Sequence, residues 1–171
     1  MAEADKGLKI TGACSLEELK ASPAYRLPGK DVSRPVAVIE CIEGIPCNPC
    51  ETSCPHGAIT VGEEITNLPV VDMEKCSSCG ICVAACPGLA IYLKNPNHGE
   101  GEALIAFPYE YWPLPEPGQT VEMVDRMGEG VCQGKILKVV LTKKNDRTAV
   151  VHAVYPSEHF EAVVNMKRLP R

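Results

Sequence analysis

The chain has 171 residues, 45% of them hydrophobic and 23% charged, with a formal net charge of −5. This balance describes an ordinary soluble protein of one or two small domains. The 15 prolines and 14 glycines, against 5% aromatics, imply many turns and short elements and exclude a single large helical core.

At the amino end, the segment Met1 to Ile10 holds no apolar run long enough for a signal peptide, and no later stretch approaches a membrane span. The expectation is a cytoplasmic protein, whose thiols stay reduced and whose clustered cysteines more often bind metal than pair. Ser15 stands three residues ahead of Glu18, a capping-box pattern that predicts one short helix over S15-L-E-E-L-K-A. The proline-containing P23-A-Y-R-L-P-G-K reads as a loop, and R34-P-V-A-V-I-E as a strand leading into Cys41.

Next come two cysteine runs, C41-I-E-G-I-P-C-N-P-C-E-T-S-C-P and C76-S-S-C-G-I-C-V-A-A-C-P. Cys47, Cys50 and Cys54 recur 32 positions later as Cys79, Cys82 and Cys86, and the match continues through Pro55/Pro87, Ala58/Ala90 and Ile59/Ile91. The leading cysteine alone breaks the offset: three extra residues separate Cys41 from Cys47, so E-G-I-P belongs to a longer loop in the first copy. Neither copy can bury a core by itself, so the two are expected to pack as a pseudo-symmetric unit. Within it, 57–62 and 68–72 read as short strands around the turn G-E-E-I-T-N, V83-A-A-C as a short helix, and A90-I-Y-L as a further strand.

Beyond the unit, K94-N-P-N-H-G-E-G-E reads as a polar turn region and F107-P-Y-E-Y-W-P-L-P-E-P-G as a linker or docking arm. T120-V-E-M-V-D, K135-I-L-K-V-V-L-T, T148-A-V-V-H-A-V-Y and F160-E-A-V-V-N-M then read as strands, enough for a small antiparallel barrel or sandwich. Residues 41–87 hold six acidic groups against one lysine, a net of −5, whereas 119–171 hold nine basic and six acidic residues, a net of +3. The two parts are expected to face different neighbours.

Zinc sites use separated pairs of C-x2-C, but each run here offers three close cysteines, then a fourth after three residues with a proline behind it. That pattern resembles the bacterial ferredoxin signature of 4Fe-4S ligation. Three closely spaced thiolates reach three iron corners of one cubane, and the short chain cannot wrap round to the fourth. The sequence over 36–93 thus resembles the dicluster (two 4Fe-4S) ferredoxins. The resemblance implies an α+β fold with a pseudo-two-fold repeat and crossed ligation: Cys41, Cys47, Cys50 and Cys86 on cluster 1, Cys76, Cys79, Cys82 and Cys54 on cluster 2. Cys41 is where the spacing departs from the ferredoxin pattern. Gly44, Gly57, Gly80 and Gly88 would let backbone approach the sulfurs, and Ile42, Ile45, Ile59, Ile81, Val83 and Ile91 would keep water out, although each also serves as an ordinary turn or core residue. Cys14 and Cys132 lie outside the motif and read as small buried hydrophobes, His56 as a surface turn residue, and Tyr92 as core.

The expected organisation is an extension over 1–35, a dicluster domain over 36–94, an arm over 95–118 and a β-rich domain over 119–171. Two adjacent one-electron centres with all-cysteine ligation suit electron relay, and P-loop and dinucleotide signatures are absent, so the chain alone is not expected to be a catalyst. The layout around E40-C-I-E-G-I-P-C-N-P-C is similar to small iron-sulfur subunits that accompany flavin-containing amino-acid or amine dehydrogenases in anaerobic bacteria. That resemblance implies a hetero-oligomeric oxidoreductase with a flavoprotein partner. A freestanding ferredoxin with an accessory domain and a zinc-stabilised binding module are the alternatives. The tail lacks the dense Lys/Arg stripe of a nucleic-acid binder.

Overall fold

A computed structural model describes residues 7–171; residues 1–6, part of the expected N-terminal extension and of the segment read for a signal peptide, lie outside it. Two short helices come first, α1 (Leu8–Thr11) and α2 (Leu16–Ala21). The capping box at α2 forms as expected: Ser15 Oγ accepts from the Glu18 N–H at 3.2 Å while the Glu18 carboxylate accepts from the Ser15 N–H at 2.8 Å. Leu19 of α2 is fully buried with Tyr25 and Val38, which pins the extension to the next element.

That element, strand β1 (Val36–Ile39), is buried along its whole length. The first cysteine run contains helix α3 (Pro49–Thr52), followed by the two-residue strands β2 (Ile59–Thr60) and β3 (Val70–Val71), which pair with each other. The second run contains helix α4 (Ile81–Ala85), as V83-A-A-C predicts. Gly80 precedes it at φ +75, a left-handed conformation that glycine adopts without a Cβ penalty.

Strands β4 (Ile91–Gly99), β5 (Glu102–Tyr109), β6 (Thr120–Val124), β7 (Gly130–Val140), β8 (Ala149–Pro156) and β9 (Asn165–Met166) complete one seven-stranded antiparallel sheet in the order β1-β4-β5-β8-β7-β6-β9. This corrects several expectations. The polar turn region from Lys94 is a strand up to Gly99, and β4 crosses the domain boundary placed at 94/95. The arm over 95–118 is a β-hairpin as far as Tyr109. The strands after 119 are not a separate barrel or sandwich; they continue the sheet that begins at β1. Of the stretch F160-E-A-V-V-N-M, Asn165–Met166 is strand.

The sheet is strongly curved, because β5 and β6, three places apart, contribute Ile105, Phe107, Val121 and Met123 to one buried core. Register breaks in β7 between Ile136 and Lys138 and in β6 between Met123 and Val124 supply the bend. Gly134 allows it: a Cβ there would lie 2.6 Å from Met123 and 3.1 Å from the Val154 carbonyl oxygen. On the other face, Ile39, Ile91, Leu93, Ala106 and Val150 share a core with Ala58, Val71, Val83 and the cysteine runs. The cysteine unit therefore sits on one face of the sheet, and the curled half closes over the other.

Candidate iron-sulfur centres

Side chains alternate across a strand, so β1 and β4 each present every second residue to the cysteine unit. Their register pairs Ile39 with Ile91 and Ala37 with Leu93. Ile39 and Ile91 line one cavity together with Cys41, Cys47, Cys50 and Cys86. Ala37 and Leu93 line a second cavity together with Cys54, Cys76, Cys79 and Cys82. Each cavity thus has a cross-strand pair as its wall and four thiols around it. The two pairs are one pleat repeat apart, about 7 Å along the strands.

Each set draws three cysteines from one run and one from the other, because α3 and α4 pack side by side. Cys50 and Cys82, within those helices, are buried; Cys76 is buried, Cys79 exposed, and the rest half-buried. The two crossing residues are held alike. The Ala58 N–H donates to Cys54 Sγ at 3.3 Å and the Ala90 N–H to Cys86 Sγ at 3.4 Å, so equivalent backbone donors face both sulfurs.

Burial, and then the neighbouring thiols, push these groups away from ionisation. Cys50 is raised to about 11, with Cys86 and Cys47 as its thiol neighbours, and Cys82 to about 12, with Cys76, Cys79 and Cys54. Cys41 moves the same way, by burial and then Cys86. A cavity that opposes four negative sulfurs accepts them once a cationic core is supplied, which is how thiolate ligation to metal couples to proton release. Among the described residues, no three His, Cys, Asp or Glu groups are gathered tightly enough to hold a single ion. A zinc ion would require four ligands at about 2.1–2.3 Å. Thiols spaced around a cavity instead fit a larger polynuclear group. Ser53 Oγ, in the run between Cys50 and Cys54, is buried without a partner, a hydroxyl left over beside these ligands. The donor set, soft sulfur throughout, suits an iron-sulfur group.

Several contributors carry no sequence signal. Arg34 donates from Nε to the Cys76 carbonyl at 2.9 Å and from one terminal nitrogen to the Met73 and Glu74 carbonyls at 3.0 Å, fastening the entry of the second run. Ser78 Oγ donates to the Pro35 carbonyl in the same region. At the first run, Glu40 is buried directly ahead of Cys41 and accepts two bonds from Arg126, at 2.8 and 2.5 Å. Arg126 also donates to the Glu161 carbonyl at 3.2 Å. Cys14 Sγ lies 3.9 Å from the Glu40 carbonyl and Cys132 packs against the far core, so neither joins the two sets. His56 is exposed, as a turn residue should be, and also lines the second cavity. Tyr92 packs against the far core.

Residues 40–90 match the family described as the 4Fe-4S dicluster domain. Over 66 residues the chain is 47% identical to a subunit of the ion-translocating oxidoreductase complex of Methanosarcina acetivorans, covering 39% of this chain and 22% of that one. Over 116 residues it is 32% identical to the isethionate sulfite-lyase activating enzyme of Desulfovibrio desulfuricans, covering 64% and 35%. Over 61 residues it is 44% identical to the polyferredoxin-like subunit of the aliphatic sulfonate oxidoreductase of Pyrococcus furiosus, covering 36% and 31%. The chain spans between 22% and 35% of the length of these three relatives. No solved structure matches it. Among the described residues no helix is long and apolar enough to cross a membrane. The chain contains a 4Fe-4S dicluster domain and carries two 4Fe-4S clusters.

Proposed function

We propose that this protein is an electron-transfer subunit of an oxidoreductase complex, relaying single electrons through its two clusters between a partner flavoprotein and an acceptor. The observation that carries the reading is the division of eight cysteines into two sets of four around two cavities, each set drawn from both runs. In this reading Cys41, Cys47, Cys50 and Cys86 hold cluster 1, and Cys54, Cys76, Cys79 and Cys82 hold cluster 2. The clusters supply one-electron storage. The protein's own residues orient the thiolates, donate backbone N–H groups to Cys54 and Cys86, and exclude water with Ile39, Ile91, Ala37 and Leu93. With every cluster corner taken by cysteine, neither cluster offers a substrate a coordination position, and the chain acts as a conductor within a larger enzyme.

The ligand-bearing unit over 36–94 is a pseudo-two-fold pair of repeats, and the hetero-oligomer is a cytoplasmic assembly. Relatives named as subunits of oxidoreductase complexes support the assembly. Anaerobic purification from the native cell tests it. The expected result is about eight irons per chain and a copurifying subunit with flavin absorption. A brown monomer that serves several enzymes would replace this reading with a mobile ferredoxin, and a colourless zinc protein would overturn it.

A further inference from the structure

The three-residue expansion of the first run forms a loop over 42–46, and it is packed against the turn over 62–67. The Cys47 N–H donates to the Ile65 carbonyl at 3.3 Å. A Cβ at Gly44 would stand 3.1 Å from the Thr66 carbonyl, so the two loops approach at backbone distance. Their outward side chains are Glu43, Ile45, Glu63, Glu64 and Ile65, all exposed, with each isoleucine 48% accessible.

Two apolar side chains are thus held in water among three carboxylates. The ion pairs among the described residues involve Glu161, Asp72, Glu40, Glu158 and Glu122, and none of these three. The single basic residue in 41–87, Lys75, is bound to Asp72 at 3.1 Å. An apolar centre with a rim of uncompensated charge is the anatomy of a steered protein interface. Its position is what matters: Glu43 and Ile45 also line the cavity of Cys41, Cys47, Cys50 and Cys86. A protein seated here is separated from cluster 1 by the thickness of one loop. The second run has no such expansion, since Ser77 and Ser78 fill the shorter interval and Ser78 is tied back to Pro35. On the neighbouring side, Ile45 and the exposed Leu89 continue along a groove of about 650 Å³. Arg168, stacked over Tyr111 at 5.1 Å, lines the same groove.

We propose that the paired loops 42–46 and 62–67 are the docking surface through which cluster 1 exchanges electrons with a partner protein whose contact face is apolar at its centre and rimmed by lysine and arginine. The inference rests on the electron-transfer reading above and adds to it the entry point and the chemistry of the partner. Charge attraction governs encounter, and the two isoleucines provide the contact that excludes water once the partner has arrived.

The test uses the full cluster-loaded chain, reduced with dithionite, and a lysine-rich haem protein as acceptor; one electron passes from a reduced cluster to ferric haem, giving ferrous haem with no proton transferred. The triple substitution Glu43→Gln, Glu63→Gln, Glu64→Gln is compared with Glu100→Gln, Glu116→Gln, Glu129→Gln elsewhere on the surface, iron content being measured in each. At low salt the loop triple is expected to slow haem reduction about tenfold, and the difference should vanish at high ionic strength. Ile45→Ser with Ile65→Ser should slow it at both salt concentrations. Ferricyanide, too small to need a docking face, should be reduced by every form. Equal slowing by both triples, or no slowing by the loop triple, overturns the docking surface while leaving electron transfer intact. Failure of the loaded wild-type chain to reduce either acceptor overturns both readings.

Discussion

The two cysteine runs share a spacing but have different positions in the protein. The second run is the inner one: α4 packs on β4, β5 and β8, its Val83 is fully buried, and Arg34 and Ser78 fasten its entry to the chain around β1. The first run is the outer one: α3 packs on α4 and β2, and Glu51 turns inward to accept the Val61 N–H at 2.9 Å. Its entry is fastened by a different device, the buried Glu40–Arg126 pair, and its expanded loop is left in water. A duplicated ligand motif therefore places two similar cofactors in unlike surroundings. Hydrogen bonding and exposure tune cluster potentials, so the two centres need not be redox equivalents.

The sharpest way to break this comparison is to remove one crossing ligand at a time. Cys54→Ala should cost the cluster on Cys76, Cys79 and Cys82, and Cys86→Ala the cluster on Cys41, Cys47 and Cys50, each leaving about four of eight irons. Iron and sulfide analysis with electron paramagnetic resonance would show which signal goes. Loss of the opposite cluster in each case would refute the crossing.

Next in size is the anchor of the first run. Arg126→Met leaves the Glu40 carboxylate buried and unpaired, at a cost of about 3–5 kcal/mol, readable as a fall in the denaturation midpoint. The double change with Glu40→Leu should recover much of it. The cavity walls then separate the two centres. Ile91→Ala and Leu93→Ala should each destabilise by about 2–5 kcal/mol, but the first should hasten loss of cluster 1 and the second loss of cluster 2, followed by absorbance under a chelator. Arg34→Met, which frees the Cys76 entry, should cost less, about 1.5–3 kcal/mol for charged hydrogen bonds of this kind, and should loosen cluster 2 alone.

A further effect is one of pH. Lys94 is wholly buried on the face away from the clusters, its Nζ 3.0 Å from the Phe160 carbonyl and over the Phe160 ring. Burial, opposed by Glu40, pulls its ammonium from 10.5 to about 7. The unfolded chain then holds a proton that the folded one has released between those values, so folding gains stability as pH rises through the window. Relative to Lys94→Met, the wild type should become more stable between pH 7 and 10 in denaturant titrations. A flat difference would show that Lys94 keeps its charge when folded.

Much of this was legible in the sequence because local chemistry dictates it. The Ser15 capping box, the helix at V83-A-A-C and the strand before Cys41 depend on neighbours a few residues away, and all three form. Punctuation misled where tertiary pairing overrode it. Pro96 and Gly99 marked a turn, yet Pro96 sits in β4 where the ladder to β5 is irregular, so its missing N–H breaks no regular bond. Pro108 marked a linker, yet it pairs with Val150 beyond the point where β4 and β5 are matched. Lys94 reads as polar surface and is buried, because the curled half of the sheet covers its face.

The sequence by itself determined the cofactor. Thiolate spacing, repeated at an offset of 32, limits which atoms a short chain can bring to one cubane, and that constraint is local. Tertiary structure decided the rest: which wall each cluster leans on, through the Ile39–Ile91 and Ala37–Leu93 register; which residue neutralises Glu40, 86 positions away at Arg126; and which run faces water. Those choices depend on contacts between distant segments, whose energies no local pattern encodes. They set the inner cysteine run apart from the outer one.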